Sequence, residues 1–265
     1  MTARAAAGVT ATRTPTAAAV RTEFAKMRGL RTAPVLTAMV AGVVVLTCRE
    51  LVSPGFAESV SDPSGTAWDR LLAASALAVR LLSPVGVAVV ASRLVDPEHR
   101  GRGWLLSHTV GLPGGRLCRA KWLAGGALLT GATVGQSLAV LGVGRLAGVT
   151  ADVPGTRWLT WTAAVLTVSL VLLAAHLVLG ALVENQLVGI GVGVVGVFVA
   201  ASAPALPGWA AVLTPWGHYA LVTPVRYRDV HLVATDPPLF GTVAMAVVAA
   251  AVVVLVTHRL DRREV

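Results

Sequence analysis

Six apolar stretches, each close to the length of a helix that crosses a bilayer, dominate this chain: about 35–50, 68–95, 122–147, 158–182, 187–206 and 239–257. A hydrocarbon core of about 30 Å is crossed by about 20 helical residues, and lipid offers no water to unpaired backbone groups, so helices are the default. Hydrophobic residues make up 55% of the 265 positions, and the mean hydropathy is +0.74, beyond what a soluble core of this size needs. The expected fold is all-α: a polytopic membrane protein with six transmembrane helices. The first stretch is short enough for the core of a signal peptide, yet Thr47 before Cys48 and the long region ahead of it favour a retained helix.

Lysines and arginines stay on the cytosolic side of a membrane more often than not. Arg4, Arg13, Arg21, Lys26, Arg28 and Arg31 precede the first stretch. Arg93, Arg100, Arg102, Arg116, Arg119 and Lys121 join the second to the third, and Arg259, Arg262 and Arg263 close the chain. All fall on one side, so both termini are expected in the cytosol. The net charge of +9 is then accounted for by topology and by anionic headgroups, with no nucleic acid required. Residues 1–15, rich in Ala and Thr, read as a disordered tail, 16–258 as one transmembrane domain and 259–265 as a cytoplasmic tail. Cys48 and Cys118 lie at opposite sides of most of the bilayer, which argues against a disulfide.

Residues 16–32 place Val20, Phe24, Met27 and Leu30 within one helical face, with Arg21, Lys26 and Arg28 on its flanks. That is the pattern of an interfacial helix, though a basic juxtamembrane segment serving topology alone has the same composition. In the second connection, Pro97 is expected to end the second span, and Trp104-Leu105-Leu106 forms a short apolar segment between glycines. The run "GLPGG" breaks the chain again before the third span. Short helices bounded by Gly and Pro suit docking on a partner, because their ends are defined and their apolar side chains need cover. A solvated basic loop is the alternative.

Glu98, Gly101, Trp104-Leu105-Leu106, Pro113, Arg116 and Lys121 resemble the pattern that follows the second span in permease subunits of ABC-2-type ABC transporters. The order there is an acidic residue, a glycine, a short helix, a proline followed by a basic residue, and a lysine opening the third span. The six-span plan with both ends inside is similar too, and the segment "VRTEFAKMRGLRT" resembles that family's elbow helix. One departure is Gly114-Gly115 after Pro113, where the family more often has Ser or Thr. The resemblance implies that residues 98–121, Arg100 among them, contact a separate ATP-binding subunit. It also implies a second permease subunit, the same or different, and a cell-membrane location.

Other motifs bear on this reading. Neither Lys26 nor Lys121 sits in a G-x-x-x-x-G-K-[ST] loop, so ATP hydrolysis is expected in the partner, and no cofactor or metal is expected in this chain. "GVGVVG" at 191–196 has the glycines of a dinucleotide loop but lies inside an apolar span. The pairs Gly189/Gly193, Gly131/Gly135 and Gly144/Gly148 read as packing faces. Arg80 stands mid-span, where an ionised side chain costs about 2.5–3.5 kcal/mol on insertion scales, and is a candidate for the translocation route. His176 and Gln136 read as hydrogen-bonded packing residues, and Glu184 and Asn185 as a capping turn or partner contact. The long outer connection, with Trp209, Trp216, Tyr219 and Tyr227 at headgroup level and prolines cutting it into short helices, is a candidate outer gate. The scattered histidines, and the lack of a G-x-S-x-G elbow, weigh against an intramembrane enzyme. The function expected is therefore export of a drug, peptide or lipid; the rival is a non-transporting membrane scaffold or sensor, which needs no ATPase.

Overall fold

The computed structural model describes residues 15–101, 103–228 and 231–262. The expected disordered tail lies outside these residues except for Pro15, as do Arg102 and the last three positions. Helix α1 (Thr16–Gly29) runs into α2 (Thr32–Cys48), which a 3-10 turn (Arg49–Val52) and a single turn, α3 (Phe56–Ser59), connect to α4 (Thr66–Arg100). A short helix, α5 (Gly103–Thr109), precedes α6 (Gly114–Leu146), α7 (Gly155–Leu182) and α8 (Gln186–Ser202). The outer connection holds α9 (Gly208–Leu213), α10 (His218–Leu221) and an antiparallel hairpin of β1 (Val225–Arg228) and β2 (His231–Ala234); α11 (Leu239–Arg262) closes the chain. Among the described residues, six helices are long and apolar enough to cross a membrane. The chain is an all-α polytopic membrane protein.

Helix α4 is the axis of the bundle, with α2, α6, α7 and α8 packed around it and Trp68, Leu71, Leu72, Val79, Val87 and Leu94 wholly buried. At 1.5 Å per residue its 35 residues reach about 52 Å, so its charged ends stand beyond a hydrocarbon core of about 30 Å. The end at which α1 packs and α11 finishes is called inner below, and the opposite end outer. Outer-end loops are tied by Arg70 to Glu50 (2.6 Å) and Arg157 to Asp69 (2.6 Å), and by the Trp68 indole donating to the Ala151 carbonyl (3.0 Å).

Three expectations about local structure are corrected. Pro97 does not end the second span: α4 continues to Arg100, because a proline there forfeits one backbone bond while the Gly101 amide still reaches the Pro97 carbonyl at 3.0 Å. The third span begins at Gly114, about two turns before the position expected, so Arg116, Arg119 and Lys121 belong to its first turns and not to a free loop. The outer connection is also not helical throughout, since Val225–Arg228 and His231–Ala234 pair as strands. Their β-branched and aromatic residues favour extended backbone.

Candidate docking and coupling site

Three inner-end elements meet at a buried group of four charges. The Lys121 ammonium, in the second turn of α6, donates to Glu23 Oε2 and Glu98 Oε1, each at 2.7 Å. Lys26, one turn beyond Glu23 on α1, donates to Glu23 Oε1 at 2.9 Å and to Glu98 Oε1 at 2.8 Å. Glu23, Glu98 and Lys121 are only 2%, 3% and 0% exposed. Two carboxylates and two ammoniums sum to zero, which is the condition under which charges tolerate burial. Lys26 is less enclosed: burial pushes its pKa down, but the hydrogen bonds and charges of Glu98 and Glu23 outweigh that and hold it above the ordinary lysine value.

The group fastens α1 to the ends of α4 and α6. Helix α1 presents Ala19, Glu23 and Met27 inward, so the face expected from Val20, Phe24, Met27 and Leu30 is rotated: Met27 is buried, Val20 and Leu30 half-buried, and Phe24 exposed. The joint between α1 and α2 turns at Arg31, whose φ of 52° lies in the left-handed region, and Arg93 of α4 holds the Leu30 carbonyl there at 2.9 Å. These contacts set α1 as a bracket across the inner end.

Helix α5 hangs from this bracket. Any side chain at Gly103 would collide with Glu98, so a glycine is required where α5 departs. Trp104 turns inward to meet the His99 ring edge-on at 5.9 Å between centroids and lies 3.7 Å from where a Gly114 side chain would stand. Leu105 and Leu106 face outward, 44% and 60% exposed, with Val110 beyond them. Glu98 and Lys121, expected from the sequence to meet a partner, are buried in this isolated chain and support the departure of α5. Gly101 and the paired Arg100 (2.8 Å to Asp96) remain at the surface. Gly111, at φ 74°, ends the α5 turn, and Pro113 precedes the first residue of α6.

The start of α6 is clamped by the end of α11. Asp261 accepts the Arg116 amide at 2.9 Å and the Arg119 guanidinium at 2.7 Å, and Arg119 also donates to Thr257 at 2.8 Å. A carboxylate at the amino end of a helix is favoured by the unpaired amides and the helix dipole. Gly115 lies against the Thr257 carbonyl, with no room for a Cβ. A glycine at position 115 is thus required sterically.

The remaining sequence-derived candidates are dispersed. Arg80 sits midway along α4, with a buried Nε that has no hydrogen-bond partner among the described residues. Trp209 is exposed on α9, and Trp216 is half-buried against Gly196 of α8. Tyr219 is not at headgroup level: it is wholly buried, its hydroxyl 2.9 Å from Ser169 of α7. Gly193 and Gly144 do pack closely, on Ala88 and Trp68, whereas Gly131 and Gly135 face open space and Gly148 is a left-handed helix end at φ 91°. His176 bonds the Leu172 carbonyl at 2.9 Å, and Asn185 caps α8 by accepting the Leu187 amide at 2.9 Å. Reading the sequence missed Glu23 and Asp261, the two acids that fasten α1 and α11. One signal for Glu23 was present: it is the only acidic residue before the first span.

No family model matches the chain, and no curated protein matches it either.

Proposed function

We propose that this chain is the membrane-spanning permease subunit of an ABC-2-type transporter of the cell membrane, exporting a drug, peptide or lipid and powered by a separate ATP-binding subunit. The observation that carries the reading is the mechanical continuity of the inner end. An exposed apolar helix, α5, is mounted between α4 and α6, and both of those helices are locked to α1 by the buried group of Glu23, Lys26, Glu98 and Lys121. A push on Leu105 and Leu106 is delivered to the two spans as rigid bodies, because a close-packed and charge-paired junction has no soft mode to absorb it. Hydrolysis then takes place in the companion, and this chain converts its closure into movement of α4 and α6. A second permease subunit completes the route between two such bundles.

The test is affinity purification of the tagged chain from its native membrane in mild detergent. The expected companion carries a G-x-x-x-x-G-K-[ST] loop, and the double substitution L105D/L106D removes it while the chain's own melting temperature is unchanged. A chain that purifies alone, or a companion retained by L105D/L106D, contradicts the proposal.

A further inference from the structure

Two buried hydrogen-bond donors, Arg80 of α4 and Trp216 of the outer connection, are unanswered within the described residues and stand near the α4–α8 contact. Gly193 of α8 packs on Pro84, Val85 and Ala88 of α4, so the two helices touch there at nearly backbone spacing. Gly196 lies about one turn further out on α8, and the Trp216 indole Nε1 rests directly on it, where any side chain at 196 would collide. Arg80 lies one turn outward of Pro84 on the same face of α4. By helix spacing, Arg80 and the Trp216 indole therefore lie at a similar depth along α4 and α8. Beside them, the Tyr219 hydroxyl meets Ser169 of α7 and Ser83 of α4, which fixes how deeply the turn enters the bundle. Arg80 Nε and Trp216 Nε1 are both buried, and neither has a hydrogen-bond partner among the described residues.

Among the described residues Arg80 also lacks a counter-charge. Between Arg70 and Arg93 it is the one ionisable residue of α4, about 15 Å along the helix from the former and about 20 Å from the latter, hence deep in the hydrocarbon. Glu50, Asp69, Asp96 and Asp261 are each paired with an arginine near a helix end, and Glu23 and Glu98 with lysines. No Asp or Glu lies within the apolar interior of any of the six spans. A second copy of the chain brings a second arginine and no carboxylate, so self-association leaves the charge uncompensated.

Two buried N–H donors, one of them charged, complement an oxyanion. A guanidinium fork fits a carboxylate or phosphate, an indole can only donate, and an intramembrane cation requires a partner. We infer that the groove between α4, α8 and the Trp216 turn binds the anionic headgroup, carboxylate or phosphate, of an amphiphile. Calling that amphiphile cargo rests on the permease reading above; the site itself does not need an ATP-binding partner.

The experiment is scintillation-proximity binding of radiolabelled palmitate to the purified full-length chain in dodecyl maltoside. Saturable binding is expected, displaced by dodecyl phosphate and not by dodecyltrimethylammonium. R80Q is expected to weaken it about tenfold or more, R80K to keep most of it, and W216F to weaken it about threefold. Phosphatidylglycerol that displaces palmitate and co-purifies with wild type but not with R80Q assigns the anion to resident lipid. Failure of phosphatidylglycerol to compete assigns it to a free amphiphile. Palmitate bound equally by wild type, R80Q and W216F, all eluting as monodisperse species, overturns the inference, as does equal displacement by the cationic detergent. Loss of the ATPase companion leaves this binding untouched, and loss of Arg80 dependence leaves capture through α5 untouched, so the two readings fail separately.

Discussion

Lys26 and Lys121 are the only lysines among 22 basic residues, and both serve the same two carboxylates. A compact ammonium with three donors can sit between two acids in a tight space where a planar guanidinium fork would not fit. Removing one member leaves a buried charge unanswered, which costs about 3–5 kcal/mol. K121M is therefore expected to lower unfolding stability by about that much in detergent. The E23Q/K121M pair should be less damaged than the sum of its single substitutions, read from a double-mutant thermal series. Lys26 behaves differently with pH. Its folded pKa lies above the unfolded value of about 10.5, so its contribution is complete below that pH and fades only as pH rises through the folded value. The stability difference between wild type and K26M should stay constant from about pH 7 to 9 and shrink above about 10.5. The long-range pairing was not legible from composition: Lys26 and Glu98 lie 72 positions apart and Glu23 and Lys121 98, and only the fold brings them together.

At the scale of elements, the junction of α6 and α11 turns on one glycine. G115V places side-chain atoms where the Thr257 carbonyl stands, so the substitution is expected to separate α11 from α6 or to destabilise the chain by about 1–3 kcal/mol. Loss of a cysteine cross-link between positions 119 and 257 is the readout. The sequence announced most helices, because apolar runs bounded by charge leave little alternative in lipid. It misplaced the inner ends of α4 and α6, since proline and basic residues usually mark boundaries, and here the backbone lost at Pro97 is offset by the contacts of Glu98. It also missed the β1–β2 hairpin, whose two strands of four residues each carry little periodic signal.

The whole molecule divides its charge by depth. Outer-end pairs close loops, inner-end groups brace α5, and the hydrocarbon region holds Arg80 as its unpaired cation among the described residues. The number of spans was legible in the sequence, because it depends on the length and composition of the apolar runs alone. The depth of Tyr219 was not, because an aromatic residue in an outer connection suits a headgroup and a buried hydroxyl pair equally well, and only packing against Ser169 decides between them. The account as a whole depends on α5 facing the cytosol with Leu106 uncovered. The direct measurement is labelling of L106C, in a chain whose Cys48 and Cys118 are replaced by alanine, with a membrane-impermeant maleimide. Labelling in inside-out vesicles and none in intact cells is the expected result; labelling of intact cells would contradict the account.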